Sequence, residues 1–112
     1  MARKNKYNAK KVHAFGKKFD SQGEYKRALF LMDCEKQGLI QNLEYQIPYK
    51  IVINDVKVCS YIADFRYMYN GKVVVEDFKG MVTPIFKLKA KLIKACYDID
   101  IKVKKKPTDC LN

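Results

Sequence analysis

The sequence predicts an α/β fold: a single mixed β-sheet with flanking helices, in the order helix, three strands in meander, helix, strand. Three observations predict it. Two runs rich in β-branched and aromatic residues, Val56–Tyr69 and Val73–Phe78, are separated by Asn70-Gly71, the strongest short signal for a hairpin with a type I′ turn. Two stretches, Asp20–Gln37 and Thr83–Tyr97, carry helix start and stop signals around apolar residues at helical spacing. The chain has 112 residues, 48% of them hydrophobic, which suits one folded domain and argues against disorder.

Residues 1–18 hold Arg3, Lys4, Lys6, Lys10, Lys11, Lys17 and Lys18 and no acidic residue. With few apolar side chains to anchor it, the segment reads as a mobile basic arm that neutralises phosphates, or else as a solubilising tail. Tyr7 and Phe15 within it could stack on bases. A folded domain is then expected over 19–106, with a frayed tail over 107–112.

The first helix begins at Asp20 or Ser21 as N-cap. Ser21-x-x-Glu24 has capping-box spacing, and Gly38 supplies the stop. Glu24 therefore has two local readings, the capping partner or a carboxylate aimed at the sheet. Leu43, Tyr45, Ile47 and Tyr49 alternate as in a strand, and Pro48 places that strand at an edge or a bulge. Asn54-Asp55 turns the chain into Val56–Tyr69. Both that strand and Val73–Phe78 are apolar on both sides, the mark of central strands covered on both faces. Thr83-Pro84 caps a second helix running to about Tyr97. Its apolar side comprises Ile85, Leu88, Leu92 and Cys96 with Phe86 and Ile93. Lys87, Lys91 and Lys94 form the other side, a solvated lysine face or a ridge that tracks phosphates. Ile99–Lys104 alternates as a last strand.

Composition limits the function classes. A formal net charge of +11 points to a polyanionic partner, nucleic acid first and anionic membrane second. No apolar stretch is long enough to span a bilayer, and the basic N-terminus lacks a signal peptide's apolar core, so a cytoplasmic protein is expected. Cys34, Cys59, Cys96 and Cys110 are scattered and His13 is the one histidine, which argues against zinc and for reduced thiols.

The chemistry concentrates where Val73-Val74-Val75-Glu76-Asp77-Phe78-Lys79-Gly80 ends. Asp77 and Lys79, two residues apart on a strand, share one face. If Tyr69 pairs with Lys72, Asp64 falls opposite Asp77 and Lys79 faces Ile62. Carboxylates opposed at roughly 4.5–5.5 Å between Cβ atoms repel unless a cation lies between them. Mg²⁺, which favours oxygen ligands and is held by one or two carboxylates plus water and phosphate, suits the pair. The alternative is a solvent-facing pair that drifts apart.

Phe19-Asp20-Ser21-x-x-Glu24, Tyr61-Ile62-Ala63-Asp64-Phe65 and Val75-Glu76-Asp77-Phe78-Lys79-Gly80, in this order, resemble the motifs of the PD-(D/E)XK nuclease superfamily. More narrowly, the chain is similar to small phage-encoded endonucleases related to Holliday junction resolvases, over roughly residues 7–104. The resemblance implies a restriction-endonuclease-like αβββαβ core. It assigns Asp64 and Asp77 as metal ligands, with the Phe78 carbonyl as a third. Lys79 would orient the attacking water or neutralise developing charge, and Glu24 would complete the catalytic set. Ala63 stands where the superfamily's name expects proline. The implied activity is Mg²⁺-dependent hydrolysis of branched DNA, with Mn²⁺ substituting, no small-molecule cofactor and no membrane partner. Because resolvases cut two symmetric strands, a homodimer is implied. The competing expectations are a nuclease for flaps, nicks or duplex sites, and a basic DNA-binding protein without catalysis.

Overall fold

The computed structural model describes residues 11–112, and over 11–18 its first element is a hairpin where a mobile arm is expected. Strands β1 (Val12–Ala14) and β2 (Lys17–Phe19) pair antiparallel about Phe15-Gly16, both with left-handed backbone. The hairpin holds because Val12, Ala14 and Phe19 pack inward while Phe15 stacks on Tyr25. Lys17 and Lys18 are thus fixed on a hairpin, whereas Arg3, Lys4, Lys6 and Lys10 lie outside the described residues.

Helix α1 (Gln22–Lys36) starts at Ser21, whose Oγ accepts the Glu24 N–H at 3.0 Å. It ends before Gly38, whose φ of +80° is a conformation that costs glycine least. Strands β3 (Gln41–Ile53), β4 (Val56–Tyr69) and β5 (Lys72–Phe78) form the expected meander. Both turns, Asn54-Asp55 and Asn70-Gly71, have positive φ at each residue, as type I′ turns require. Helix α2 (Pro84–Tyr97) is capped by the Thr83 hydroxyl, and β6 (Ile101–Lys104) joins β5 in parallel. The sheet order is β3-β4-β5-β6, so the fold is α/β with a mixed four-stranded sheet and an added two-stranded one. Pro48 does not interrupt β3. It sits within one continuous edge strand, where a missing donor costs least.

The core has two halves. Phe19, Ala28, Leu31, Cys34, Phe65, Tyr67 and Val74 cluster with α1. Ile47, Tyr49, Ile51, Tyr61, Ala63 and Val75 cluster with Phe86 and Ile93 of α2. Along β3 and β4 the changeover falls between the pairs Tyr45↔Phe65 and Ile47↔Ala63, that is, at Gln46 and Asp64. Gln46 has φ +53°, so the edge strand itself turns there. Full cover on both faces was expected for β4 and is not found, since Val58 and Ile62 are exposed.

Helix α2 is also rotated from expectation. It buries Phe86 and Ile93, but Ile85 is 67% and Leu88 58% exposed. The sequence offers two adjacent apolar lines; the one with Phe86 and Ile93 packs in the core, and two polar contacts accompany it. Lys89 Nζ donates to the Ser60 carbonyl, and Tyr97 Oη to that of Lys50.

The last residues are not frayed. The buried Arg27 guanidinium donates to the carbonyls of Pro107, Asp109 and Cys110, and Lys104 Nζ donates to that of Asn112. Among the described residues no helix is long and apolar enough to cross a membrane.

Candidate active site

The β4–β5 register runs as the Asn70-Gly71 turn dictates, from Tyr69↔Lys72 to Phe65↔Glu76, and then stops. Asp64 and Asp77 would form the next pair but do not. Instead their side chains take over the ladder's hydrogen bonds. Asp77 Oδ1 accepts the Asp64 N–H at 2.7 Å, and Asp64 Oδ2 accepts the Phe78 N–H at 2.8 Å. The two carboxylates are brought together by this clamp and not by direct opposition.

The expected position of Lys79 is corrected as well. Its N–H donates to the Lys104 carbonyl, which continues the β5–β6 pairing and removes any pairing with Ile62. Its Nζ lies 3.9 Å from Asp77 Oδ2 and 4.9 Å from the Phe86 ring centroid. The ammonium therefore leans on an aromatic face while reaching toward the carboxylate.

Asp77 is 0% exposed, and its Oδ2 has no hydrogen-bond partner. A buried carboxylate oxygen without a donor is costly, because water no longer solvates it. Lys79 at salt-bridge distance offsets part of that cost.

Glu24 serves the helix start, although its carboxylate reaches one residue past the Ser21 cap that capping-box spacing predicts. Its backbone N–H completes the Ser21 cap, and its Oε2 accepts the Asp20 N–H at 2.6 Å. Its carboxyl also neighbours that of Asp64 closely enough for each to shift the other's proton affinity. Burial, then the neighbouring Asp64, pushes the Glu24 carboxyl up to about 9. Burial pushes Asp77 up to about 6 against the pull of Lys79 and the Asp64 N–H. Asp64 is raised by burial too, opposed by Glu24 and by the Phe78 N–H. Three acids thus hold protons more tightly than they do in water.

The sign of the pH dependence follows. A carboxyl whose folded pKa is raised contributes stability that is complete below its unfolded value and lost as pH climbs through the folded one. For Glu24 that window runs from 4.5 to about 9, and for Asp77 from 3.8 to about 6. The metal-free protein should lose melting temperature between pH 5 and 9. A divalent cation that replaces the protons should raise it more at pH 8.5 than at pH 5. Differential scanning fluorimetry with and without Ca²⁺ reads this directly, and an equal shift at both pH values would count against cation binding here.

Among the described residues, no three His, Cys, Asp or Glu side chains form a ready metal cage. The ligands that the resemblance implies, the Asp64 and Asp77 carboxylates and the Phe78 carbonyl, are all oxygen donors, and of these Asp77 Oδ2 has no hydrogen-bond partner. Hard oxygen donors of this kind fit Mg²⁺, which keeps several waters and takes phosphate oxygens as further ligands.

Of the expected phosphate contacts on α2, Lys87 and Lys91 are exposed, but Lys94 is engaged. Its Nζ lies 3.0 Å from Asp98 and 3.2 Å from Asp100. Sequence reasoning missed the buried pair beside the site. Arg27 and Glu76, both 0% exposed, form a bidentate ion pair at 2.6 and 2.8 Å, and the Tyr67 hydroxyl donates to Glu76 at 2.6 Å. A signal existed, since Arg27 lies three residues after Glu24 and four before Leu31, on the line that faces the sheet.

A family model described as "Protein of unknown function (DUF1064)" matches residues 4–108. The chain belongs to this family. No curated protein and no solved structure matches it. The match covers both helices and every strand of the described residues, so the Asp64–Asp77–Lys79 cluster and Glu24 lie within the DUF1064 region.

Proposed function

We propose that this DUF1064 protein is a metal-dependent DNA endonuclease that hydrolyses phosphodiester bonds in branched DNA, four-way junctions most specifically. The observation that carries the reading is the buried, donorless Asp77 Oδ2, beside Lys79 and clamped to Asp64. Its support also includes the net charge of +11 and the order of motifs that resembles the PD-(D/E)XK superfamily.

Asp64, Asp77 and the Phe78 carbonyl would hold Mg²⁺, with Mn²⁺ able to substitute. The bound metal supplies a Lewis acid for the phosphate oxygen and lowers the pKa of a coordinated water. The chain's own groups do the rest. Lys79 presents a positive charge where the phosphorane's negative charge develops, which favours an electrostatic role over that of general base. Glu24, whose carboxyl is pushed up by burial and by Asp64, would hold a proton beside Asp64 and stabilise the site in the absence of a cation. The exposed Lys87 and Lys91, with Lys11, Lys17 and Lys18, would neutralise neighbouring phosphates. Two symmetric cuts across a junction call for a homodimer, acting in the cytoplasm.

A second reading rests on the clamp itself. Each aspartate accepts a backbone N–H, a role sufficient to end a strand pair in a DNA-binding protein without catalysis. A four-way junction, a flap and a linear duplex, assayed side by side with Mg²⁺ and with chelator, separate the readings. The expected result is Mg²⁺-dependent cutting of the junction, abolished by chelator and by Asp64→Ala. Lys79→Ala should lower kcat by about 10²–10³-fold, the usual cost of removing one charge-stabilising donor, while junction binding persists. Equal cutting of linear duplex would move the substrate to duplex DNA. Junction binding with no cutting under any divalent metal would leave the binding reading.

A further inference from the structure

Gly23 sits between the Ser21 cap and Glu24, in the first turn of α1. A Cβ placed there would lie within 2.6 Å of Phe78 Cζ and closer still to Cε1, well inside contact distance. The Phe78 ring therefore occupies the space that any other residue at this position would fill. Gly23 does not have positive φ, so the glycine serves close approach and not a special turn.

Phe78 is central to the site's geometry. Its N–H holds Asp64, and it lies between Asp77 and Lys79. Helix α1 reaches this end of β5 through its first turn, and Glu24 follows Gly23 directly. From these contacts we infer that Gly23 is a positioning residue. The missing side chain lets α1 close on the Phe78 ring, and that closure sets Glu24 against Asp64 on one side while Phe78 fixes Asp64 on the other. The inference deepens the proposed nuclease reading, but the closure it describes is a property of the fold and can be read without any cleavage.

The test compares Gly23→Ala, Phe78→Leu and the double variant Gly23→Ala/Phe78→Leu. Leucine removes the outer ring atoms that alanine at 23 would strike and keeps the Phe78 backbone. Two amides report on the closure, Asp20 N–H, bonded to Glu24, and Phe78 N–H, bonded to Asp64. In Gly23→Ala both should exchange with solvent at least about 10-fold faster, since local opening exposes hydrogen bonds that closure protects. Mn²⁺ affinity by calorimetry should fall about 10-fold or more. Cleavage should lose kcat with little change in KM for DNA. The double variant should recover most of each loss.

At an open helical position the same glycine-to-alanine change stabilises the fold. A Gly23→Ala protein that melts higher, with Asp20 and Phe78 still protected, would overturn the inference. So would a double variant no better than the single one. If wild type cuts no DNA and binds no Mn²⁺, the nuclease reading fails while amide exchange and melting still decide the role of Gly23. Should Gly23→Ala not fold at all, refolding by the double variant supports the steric account, and failure of both overturns it.

Discussion

Asp77→Asn should abolish cleavage and, in the same protein, raise the melting temperature of the metal-free form at pH 8. On the proposed nuclease reading, the first effect would follow from loss of a charged ligand oxygen at the reacting phosphate. Lewis-acid stabilisation is worth several kcal/mol, so a drop in kcat of about 10³-fold or more is expected. The second follows from burial. The Asp77 carboxyl is pushed up to about 6, so at pH 8 the fold holds a charge that it disfavours. Removing that charge should return about 2–3 kcal/mol, because each tenfold gain in proton affinity on folding is worth about 1.4 kcal/mol. Asn retains an oxygen for the Asp64 N–H. In a domain of this size each kcal/mol moves Tm by about 4–8 °C, well within reach of calorimetry. The Ca²⁺-induced rise in Tm should vanish with the carboxylate. A destabilised Asp77→Asn protein that still cleaves would refute both halves.

Arg27→Met should be the most damaging single substitution outside the site. It leaves Glu76 charged and buried with only the Tyr67 hydroxyl, and strips the carbonyls of Pro107, Asp109 and Cys110 of their donor. Breaking one side of a buried ion pair costs about 3–5 kcal/mol, a large share of a total stability of about 5–15 kcal/mol. Urea denaturation measures the loss. Adding Glu76→Gln should restore much of it, because glutamine carries no charge and still accepts from Tyr67. If the double variant were no more stable than Arg27→Met, tail anchorage and not the stranded charge would be the dominant loss.

Much of this was legible in the residues because local chemistry decides it. Asn54-Asp55, Asn70-Gly71, Ser21 and Thr83-Pro84 each specify a turn or cap within a few residues. The corresponding boundaries of α1, β4, β5 and α2 fall where those signals place them. The register from Tyr69↔Lys72 inherits its accuracy from the turn, up to the point where tertiary forces act. Past Phe65↔Glu76 the strand passes from one core half to the other, and a change of side is invisible to a pattern of period two. That is why Asp64 and Asp77 meet as a clamp and why Lys79 pairs toward β6. The hairpin at 12–19 was hidden for a related reason. Its apolar residues are few, and they are stabilised by α1 rather than by one another. The rotation of α2 likewise goes with contacts to strands distant in sequence, made by Phe86 and Ile93 and accompanied by Lys89 and Tyr97.

The Arg27 anchorage also ties the two ends of the described chain together. Arg27 lies in α1, Glu76 in β5, and the carbonyls that complete the guanidinium's shell belong to residues 107, 109 and 110. Without that last segment, the half of the core under α1 holds a cation with several donors unmet. Contacts so far apart in sequence slow folding, because loop-closure entropy is lost before they form. A chain cut back before Pro107 should therefore keep both helices and the four-stranded sheet yet melt lower, because the Arg27 guanidinium loses three carbonyl acceptors.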